Sequence, residues 1–336
     1  MPKEQKQISP CSTRSTVIRL KKKISGQNQP IFCPNASWEQ LATPFAGAGI
    51  TGTKPQDIFI TTNNTIYIPN RSTNLIIVTT PYLVPIKIIT VNSTDISSVF
   101  VTEDNNIYYS FTLNSKYGIG RISSNFSNDN LVFETCSACY DIFIDIDDNI
   151  YCSIASAHQV TRRSLKNELD PVQVIAGIGI NGSTSYMLSS PNGIVVDTNF
   201  DLYIADCFND RIQLFKLNQF NGITVAGNTA LFPTIDLDRP TAVILDRNKY
   251  LFIVDSGNQR VVGSNQYGFR CIVGCGGQYV PAPYRLYGPQ SLSVDRSGNL
   301  FVIDLVLDRI QKFTLISNSC SKFRRKKVRY RSVIPS

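Results

Sequence analysis

The most informative segment of this sequence is Pro191-Asn192-Gly193-Ile194-Val195-Val196-Asp197. Two later segments, 240–246 and 289–295, repeat its pattern of a leading proline, a largely apolar run and a closing aspartate. After each closing aspartate, an apolar–aromatic pair follows at five and six residues, a second aspartate at nine and an arginine at fourteen. Because self-similarity at a fixed period is the signature of a repeat architecture, it outweighs other fold signals.

The repeat continues towards the N-terminus in a less regular form. Its anchor position, the first aspartate or an equivalent threonine, recurs every 41 to 52 residues. The six anchors are Thr61, Thr102, Asp145, Asp197, Asp246 and Asp295. Each unit contains short apolar runs separated by Asn, Asp, Gly and Ser, which predicts short strands joined by tight turns without a competing helical period. Units of this length that form four-stranded antiparallel sheets are typical of propeller blades.

The sequence therefore predicts an all-β fold, a six-bladed β-propeller of four-stranded antiparallel blades. The blades are expected at about 54–90, 97–134, 139–176, 190–227, 239–274 and 288–315. The last unit lacks a fourth strand, whereas residues 43–46 resemble the fourth strands of other units. We expect this N-terminal strand to complete the last blade and close the ring. The propeller would span 31–319, between a basic disordered tail at 1–30 and a basic tail at 320–336.

The second half of the chain resembles NHL repeats. The resemblance rests on Pro-x-Gly-Ile-x-x-Asp, Leu-Tyr-Ile-Ala-Asp and Asn-x-Arg-Ile-Gln, which all occur in the fourth unit. The fifth unit keeps the second Asp, the Asn and the Arg; the sixth has Leu307 in place of the Asn, and the first three lack the second Asp. The resemblance covers about 43–315 and implies a six-bladed propeller. It implies no particular activity, because one fold supports many functions.

The net charge of +8 comes from the two ends of the chain. The first 25 residues hold seven Lys and Arg against one Glu, and the last 17 hold seven and no acid, which leaves −5 for the rest. A mildly acidic propeller argues against nucleic-acid binding by its faces. The basic tails could contact anionic surfaces, although such runs are commonly just solvated.

The sequence carries conflicting signals about whether the protein is cytosolic or extracellular. The start, Met1-Pro2-Lys3-Glu4, lacks the apolar region of a signal peptide, whereas nine cysteines exceed what cytosolic chains usually carry. Six Asn-x-Ser/Thr sequons lie in predicted turns or inter-blade loops, where glycans could be attached. They are Asn35, Asn63, Asn70, Asn92, Asn125 and Asn181. We favour an extracellular or membrane-anchored ectodomain, with a cytoplasmic protein as the alternative.

The cysteines suggest disulfides rather than a metal centre. Cys33 and Cys320 lie on either side of the last blade and could close almost the whole chain, while Cys271 and Cys275 could pair locally. An odd number of cysteines leaves at least one thiol unpaired or intermolecular. The pair in Cys136-Ser-Ala-Cys139 could be half of a zinc site, but no second pair exists and the chain has a single histidine. A disulfide or a buried thiol is therefore the favoured interpretation.

Two acidic patterns also favour structural roles. The segment 145–149 resembles a calcium loop but lacks the Gly and Glu of that motif, so a turn is preferred. The recurring Asp–Arg pairs can satisfy turn amides and tie a hairpin together, a device expected of the fold. These pairs are Asp206 with Arg211, Asp255 with Arg260, and Asp304 with Arg309. No catalytic residue, metal site or cofactor is predicted.

The function that these features favour is non-enzymatic recognition of a protein or glycan by a monomeric propeller. The loops that join strand d to strand a and strand b to strand c share one face, and binding residues commonly lie on such loops. Candidates there are His158, Tyr117, Asn209 and Asn258. Contacts are expected on the first three blades, which depart most from the repeat. The alternatives are a metal-dependent lyase or hydrolase, and a cytosolic reader of RNA or ubiquitin-ligase substrates like some NHL domains.

Overall fold

The computed structural model describes residues 27–82, 87–126, 129–167, 169–228, 230, 234–276 and 284–320. Most of both predicted basic tails therefore lies outside the described residues. Residues 27–30, which the sequence assigns to the tail, pack on the propeller. Asn28 and Gln29 are buried, and the Asn28 side-chain amide donates to the carbonyl oxygen of Thr61 at 2.6 Å.

Six four-stranded antiparallel sheets follow one another along the chain, which confirms the predicted all-β propeller. Within each sheet the strands are called a to d, from the channel outwards. Strands a to d are Phe59–Ile60, Ile66–Asn70, Leu75–Thr79 and Lys87–Thr90 in blade 1; Val99–Val101, Ile107–Leu113, Lys116–Ile122 and Asp129–Thr135 in blade 2; and Asp141–Ile144, Asn149–Ile154, Gln159–Ser164 and Gln173–Ala176 in blade 3. They are Pro191–Val196, Leu202–Asp206, Arg211–Phe215 and Ile223–Gly227 in blade 4, and Pro240–Leu245, Leu251–Asp255, Arg260–Asn265 and Gly268–Val273 in blade 5.

Blade 6 is built from both ends of the chain, as predicted. Its strands a to c are Pro289–Val294, Leu300–Asp304 and Arg309–Phe313. Its strand d is Thr43–Ala46, which pairs antiparallel with strand c through Thr43 opposite Lys312. A short sheet of Ser37–Trp38 with Leu315–Ser317 lies beside this junction. A four-residue helix, Ala48–Thr51, follows the closing strand.

The a strands of neighbouring blades contact one another around the whole circle and so line a central channel. Each strand a begins at the end where the d-to-a and b-to-c connections lie, which we call the top face. Close approach of these strands demands small residues. A Cβ on Gly193 in blade 4 would lie 2.6 Å from the Ala242 Cα in blade 5, so only glycine fits there.

Apolar side chains from facing sheets form the core between the blades. The rings of Phe59, Phe100 and Phe143, one from each of the first three blades, follow one another with centroids 4.8 and 5.2 Å apart. They occupy equivalent positions of the repeat, so the same sequence signal places each ring in the next interface. Within the described part of the chain, no helix is both long and apolar enough to cross a membrane.

Candidate functional site

Two adjacent positions of the repeat lie at or near the start of strand a and supply the upper channel. The residue five before each anchor defines the mouth ring, and the residue four before it defines the second ring. The mouth ring is Gln56, Ser97, Tyr140, Asn192, Thr241 and Gln290. The second ring is Asp57, Ser98, Asp141, Gly193, Ala242 and Ser291. Every blade therefore contributes one residue to each ring.

One contact spans the mouth ring. The side-chain amide of Gln290 in blade 6 donates to the hydroxyl oxygen of Tyr140 in blade 3. Since these blades are opposite in a ring of six, the contact crosses the channel. Burial raises the pKa of Tyr140, so its hydroxyl stays protonated at neutral pH. The crossing divides the mouth into two sides.

A cavity of about 390 Å³ lies on the side of blades 4 and 5. Its walls come from residues that open strand a and from b-to-c turns of these blades, together with Tyr140 and Gly288 from their neighbours. The lining residues are Tyr140, Ser190, Asn192, Cys207, Phe208, Arg239, Thr241, Ser256, Gly257, Gln259 and Gly288. Its size is within the usual range for ligand sites.

The polar lining of this cavity is mostly neutral. Asn192 is 5% exposed, and its side-chain oxygen is buried without a hydrogen-bond partner among the described residues. The Thr241 hydroxyl donates to the carbonyl oxygen of Pro289 at 3.2 Å. The backbone amide of Ser190 donates to Nδ1 of His158 at 3.0 Å, which fixes the turn beside the cavity. Neutral donors and acceptors therefore dominate the lining.

The charge in this wall is already compensated. The Arg239 guanidinium donates to a carboxylate oxygen of Asp238 at 3.1 Å, and its backbone amide donates to Asp210 at 2.7 Å. Burial, followed by the negative charge of Asp210, raises the pKa of the Cys207 thiol to about 12. A thiol that stays protonated at neutral pH is a weak nucleophile.

The second ring contains a pair of carboxyl groups that share one hydroxyl. The Ser98 Oγ atom lies 2.9 Å from Asp57 and 3.0 Å from Asp141, and it also accepts the backbone amide of Ile142 at 3.2 Å. A hydroxyl has one hydrogen, so it can donate to only one of the two carboxyl groups. The other contact is a hydrogen bond only if that carboxyl group carries its own proton.

Electrostatics point to the same proton. Burial, followed by the negative charge of Asp57, raises the pKa of Asp141 to about 8. Burial likewise raises the pKa of Asp57. Two carboxyl groups in such a site do not both ionise readily, because each charge disfavours the other. At neutral pH the pair therefore holds a proton that isolated aspartates would release.

These carboxyl groups also join blades. Asp57 in blade 1 accepts from the backbone amide of Val99 in blade 2 at 2.9 Å and from the Ser291 hydroxyl in blade 6 at 3.0 Å. Asp141 in blade 3 accepts from the backbone amide of Ile194 in blade 4 at 2.8 Å. The second ring thus links five blades around the channel through described contacts, with blade 4 joined by a backbone amide because its ring residue is Gly193. In blade 5 the ring residue is Ala242, which has no polar side chain to join this network.

The repeated Asp–Arg pairs have the geometry of a structural device. The Asp206 carboxylate accepts from Arg211 at 2.7 Å, and the other two pairs close at 2.8 Å. Asp206 also accepts the backbone amide of Ser189 at 2.6 Å, which ties the d-to-a connection to strand b. In blades 5 and 6 the equivalent donors are the backbone amides of Asp238 and Tyr287, which donate to the carboxylates of Asp255 and Asp304. None of these pairs lines the cavity.

The predicted binding-face residues are not brought together. His158, Asn209 and Asn258 lie on b-to-c turns of successive blades, where the last two donate to the buried Asp206 and Asp255 at 2.8 and 2.9 Å. Tyr117 lies in blade 2, beside a separate cavity of about 230 Å³. The channel-mouth cavity lies over blades 3 to 6, whereas the sequence had favoured the first three. Its lining shares no residue with the predicted set.

Three disulfides are present among the described residues. They join Cys33 to Cys320, Cys139 to Cys152, and Cys271 to Cys275. Since Cys139 is bonded to Cys152, it cannot also bind zinc with Cys136, which is exposed and has no disulfide partner among the described residues. Within the described ranges, no group of three or more His, Cys, Asp or Glu side chains could hold a metal ion.

The sequons differ in accessibility. Asn35, Asn63, Asn92, Asn125 and Asn181 are exposed. Asn70 is only 5% exposed, so the prediction that all six lie where glycans could be attached is wrong for this residue. Its side-chain amide donates to the Ile50 carbonyl oxygen at 3.2 Å, and its side-chain oxygen accepts from Ser72. A glycan on this buried side chain would not fit without displacing its neighbours.

Sequence reasoning missed both rings, although their signal was present. At the mouth-ring position every unit has a polar residue or tyrosine at or just before the start of strand a. A polar residue at an inward repeat position is unexpected unless it faces a channel or a partner. Aligning the six units on their anchors, rather than reading only the repeated residues, would have exposed the pattern.

No protein family and no curated protein matches this sequence. Solved structures with the same fold include virginiamycin B lyase from Staphylococcus aureus, at 14% identity and a TM-score of 0.57, covering 83% of this chain and 100% of that one. An auxiliary nutrient binding protein from Bacteroides thetaiotaomicron has 12% identity and a TM-score of 0.61, with 88% and 76% covered. Aldose sugar dehydrogenase from Streptomyces coelicolor has 11% identity and a TM-score of 0.56, with 85% and 100% covered. These similarities show the propeller fold alone, and the proteins that share it include enzymes and a binding protein.

Proposed function

We propose that this protein is a non-enzymatic recognition scaffold that binds an extracellular partner at the mouth of its channel. The observation that carries the proposal is the cavity of about 390 Å³ on the top face. Six blades joined through their a strands hold its walls. A preformed site of this kind loses little ordering entropy when a ligand binds.

The lining of the cavity suits binding better than catalysis. The Cys207 thiol and the Tyr140 hydroxyl are both protonated at neutral pH, because burial raises the pKa of each. Arg239 is paired with Asp238. Among the described lining residues there is no carboxylate or imidazole, the groups that most often perform acid–base chemistry.

We further infer that the blades are NHL repeats and that the protein works outside the cell. The repeat assignment is supported by the ion pair of Asp206 with Arg211, which recurs in blades 5 and 6 at the positions of the motif. The extracellular assignment is supported by the three disulfides, since such bonds persist mainly in oxidising compartments.

The test is binding to an array of glycans and extracellular receptor domains by a variant with a blocked mouth. Ser256 lies on the b-to-c turn of blade 5 and lines the cavity, so S256R should fill it with a charged side chain. The matched control is N199R, which adds the same side chain at an exposed a-to-b turn on the opposite face. We expect S256R alone to lose the array signal, with both variants melting like the parent protein. Equal binding by S256R would reject the top-face mouth as the site.

The competing function is an enzyme, and the observation that favours it is the carboxyl pair of Asp57 and Asp141. Strongly perturbed carboxyl groups in a channel are candidates for acid–base roles. If the protein turns over any lactone, glycoside or cyclic peptide substrate, D141N should abolish that activity while leaving array binding intact. Loss of array binding in S256R, with no turnover by the parent protein, would favour recognition.

A further inference from the structure

We propose that the channel-mouth cavity seats one uncharged sugar ring of a glycan, with Asn192 and Phe208 as its main contacts. This inference rests on the proposed function, because it takes the top face as the binding face. It adds the chemical class of the ligand, which the fold alone leaves open.

The hydrogen-bonding groups match a ligand rich in hydroxyl groups. Ser190, Ser256 and Thr241 offer hydroxyls, and Asn192 and Gln259 offer amides. The buried side-chain oxygen of Asn192 has no described partner. An orphaned buried acceptor is costly, so a ligand that donates a hydrogen bond to this amide recovers free energy on binding. A purely apolar ligand would leave this oxygen without a hydrogen bond.

The charges around the cavity disfavour ionic ligands. Arg239 is the cation of the described lining and is already paired with Asp238. Burial, followed by the negative charge of Asp210, raises the pKa of the adjacent Cys207 thiol, so this thiol adds no negative charge to the wall at neutral pH. An anionic ligand would therefore find in the described lining only a guanidinium that is already paired. A cationic ligand would find no carboxylate among the described residues that line the cavity.

The aromatic groups suit the apolar face of a sugar ring. Phe208 is 64% exposed and lies on the short turn Cys207–Asn209 at the rim of the cavity. Its backbone amide donates to the Ser189 carbonyl oxygen at 3.1 Å, which fixes the turn that carries the ring. An exposed aromatic ring on a fixed turn, next to neutral polar groups, presents one apolar surface and several hydrogen-bonding partners. A pyranose ring has the complementary distribution.

The experiment is ligand-detected NMR with methyl β-glucoside, methyl α-mannoside, methyl β-galactoside and N-acetylglucosamine as separate probes. A blocked dipeptide amide serves as the probe for peptide ligands. We expect at least one sugar to bind the parent protein. The N192A variant should weaken that binding about three- to ten-fold, the effect of one neutral hydrogen bond. Because Asn192 Oδ1 has no described partner, N192A should keep the parent melting temperature.

An aromatic pair of variants gives the matched control. F208A should weaken sugar binding about three-fold or more through lost ring contact. Y267A, which removes an exposed ring from the c-to-d turn of blade 5 on the opposite face, should leave it unchanged. Sugar binding that both N192A and F208A leave intact would overturn the assignment of the site. Binding of the dipeptide amide in place of every sugar would overturn the ligand class in favour of a peptide.

The two proposals fail in different ways. If no sugar binds but S256R still abolishes binding to the array, the sugar proposal is wrong and the top-face recognition site stands. If no sugar binds and S256R has no effect on the array signal, both proposals are wrong. Sugar binding that is lost in S256R and weakened in N192A supports both.

Discussion

Asp206 shows how a charge is kept inside the propeller. It is buried, and it accepts hydrogen bonds from Arg211, Asn209 and the Ser189 amide. Arg211 in turn is only 4% exposed and donates to loop carbonyl groups. Burial raises the pKa of Asp206 while these partners oppose the shift. The pair is therefore stable only as a complete network.

Removing one partner of this network should be costly. We expect D206A to lower the free energy of unfolding by about 3–5 kcal/mol, because it leaves Arg211 buried without its counter-charge. Urea denaturation followed by fluorescence measures this loss. The control is E134A, which removes an exposed ion pair with Lys116 and should cost less than about 1 kcal/mol. Similar losses for both variants would contradict the structural role of the pair.

The carboxyl pair predicts a dependence of stability on pH. The pKa of Asp141 is raised from 3.8 to about 8, so the folded protein binds a proton that the unfolded chain releases. This contribution to stability is complete below about pH 4 and is lost as pH rises to about 8. Asparagine cannot release a proton. The pH range from 5 to 8 lies roughly between the unfolded and folded pKa values of Asp141. Over this range the urea midpoint of D141N should therefore fall less than that of the parent protein.

The matched control for this prediction is D147N, at an exposed carboxylate in the same blade. It should follow the parent protein across the pH range. A D141N profile parallel to the parent would show that Asp141 is already ionised in the folded protein. Asp57, Ser98 and Tyr140 surround the group, so the same series in D57N tests whether the proton belongs to the pair.

The closing strand Thr43–Ala46 is the element on which the ring depends. Without it, strand c of blade 6 would expose an unpaired edge at the outer rim of the ring. We expect deletion of residues 1–50 to abolish cooperative thermal unfolding. Deletion of residues 1–26, which keeps the strand and Cys33, should leave the melting temperature within a few degrees. Unchanged melting of the longer deletion, followed by circular dichroism, would contradict the closure.

This strand could be predicted because the last repeat has no fourth strand of its own, whereas the other repeats do. Substitutions within the repeat were harder to interpret. Asn70 occupies the position of Asp206 in blade 1, and the sequence suggested a sequon at a turn. In the structure its amide takes over part of the aspartate's role by binding the Ser72 and Ile50 backbone groups. A motif read in isolation cannot reveal which of two roles a residue has, because the role depends on burial.

The whole propeller could be predicted from its period, whereas the site could not. Each repeat unit specifies one blade, and the number of units specifies the number of blades in the ring. The cavity depends instead on differences between blades at one position, and on the contact of Tyr140 with Gln290 across the channel. These residues are 150 positions apart and meet only after the ring has closed. Local sequence patterns carry no information about a contact between such distant residues.

The Cys33–Cys320 disulfide should stabilise the molecule as a whole. It spans 287 residues, so in the chain-entropy treatment its loss costs about 6 kcal/mol. The Cys271–Cys275 bridge spans four residues, and its loss should cost about 2 kcal/mol. We expect the double variant C33S/C320S to melt well below C271S/C275S in differential scanning calorimetry. The reverse order would show that the paired strands alone hold the ring closed.

The shared construction of blade 6 also has a consequence for biosynthesis. The segment 43–46 leaves the ribosome long before Arg309–Phe313, its partner strand, has been translated. At about 5–20 residues per second, the first segment waits roughly 13–50 seconds for the second. During that time five blades can assemble while the two outermost apolar surfaces stay open. The nascent chain is thus most vulnerable to aggregation just before blade 6 is completed, when a chaperone would be of greatest use.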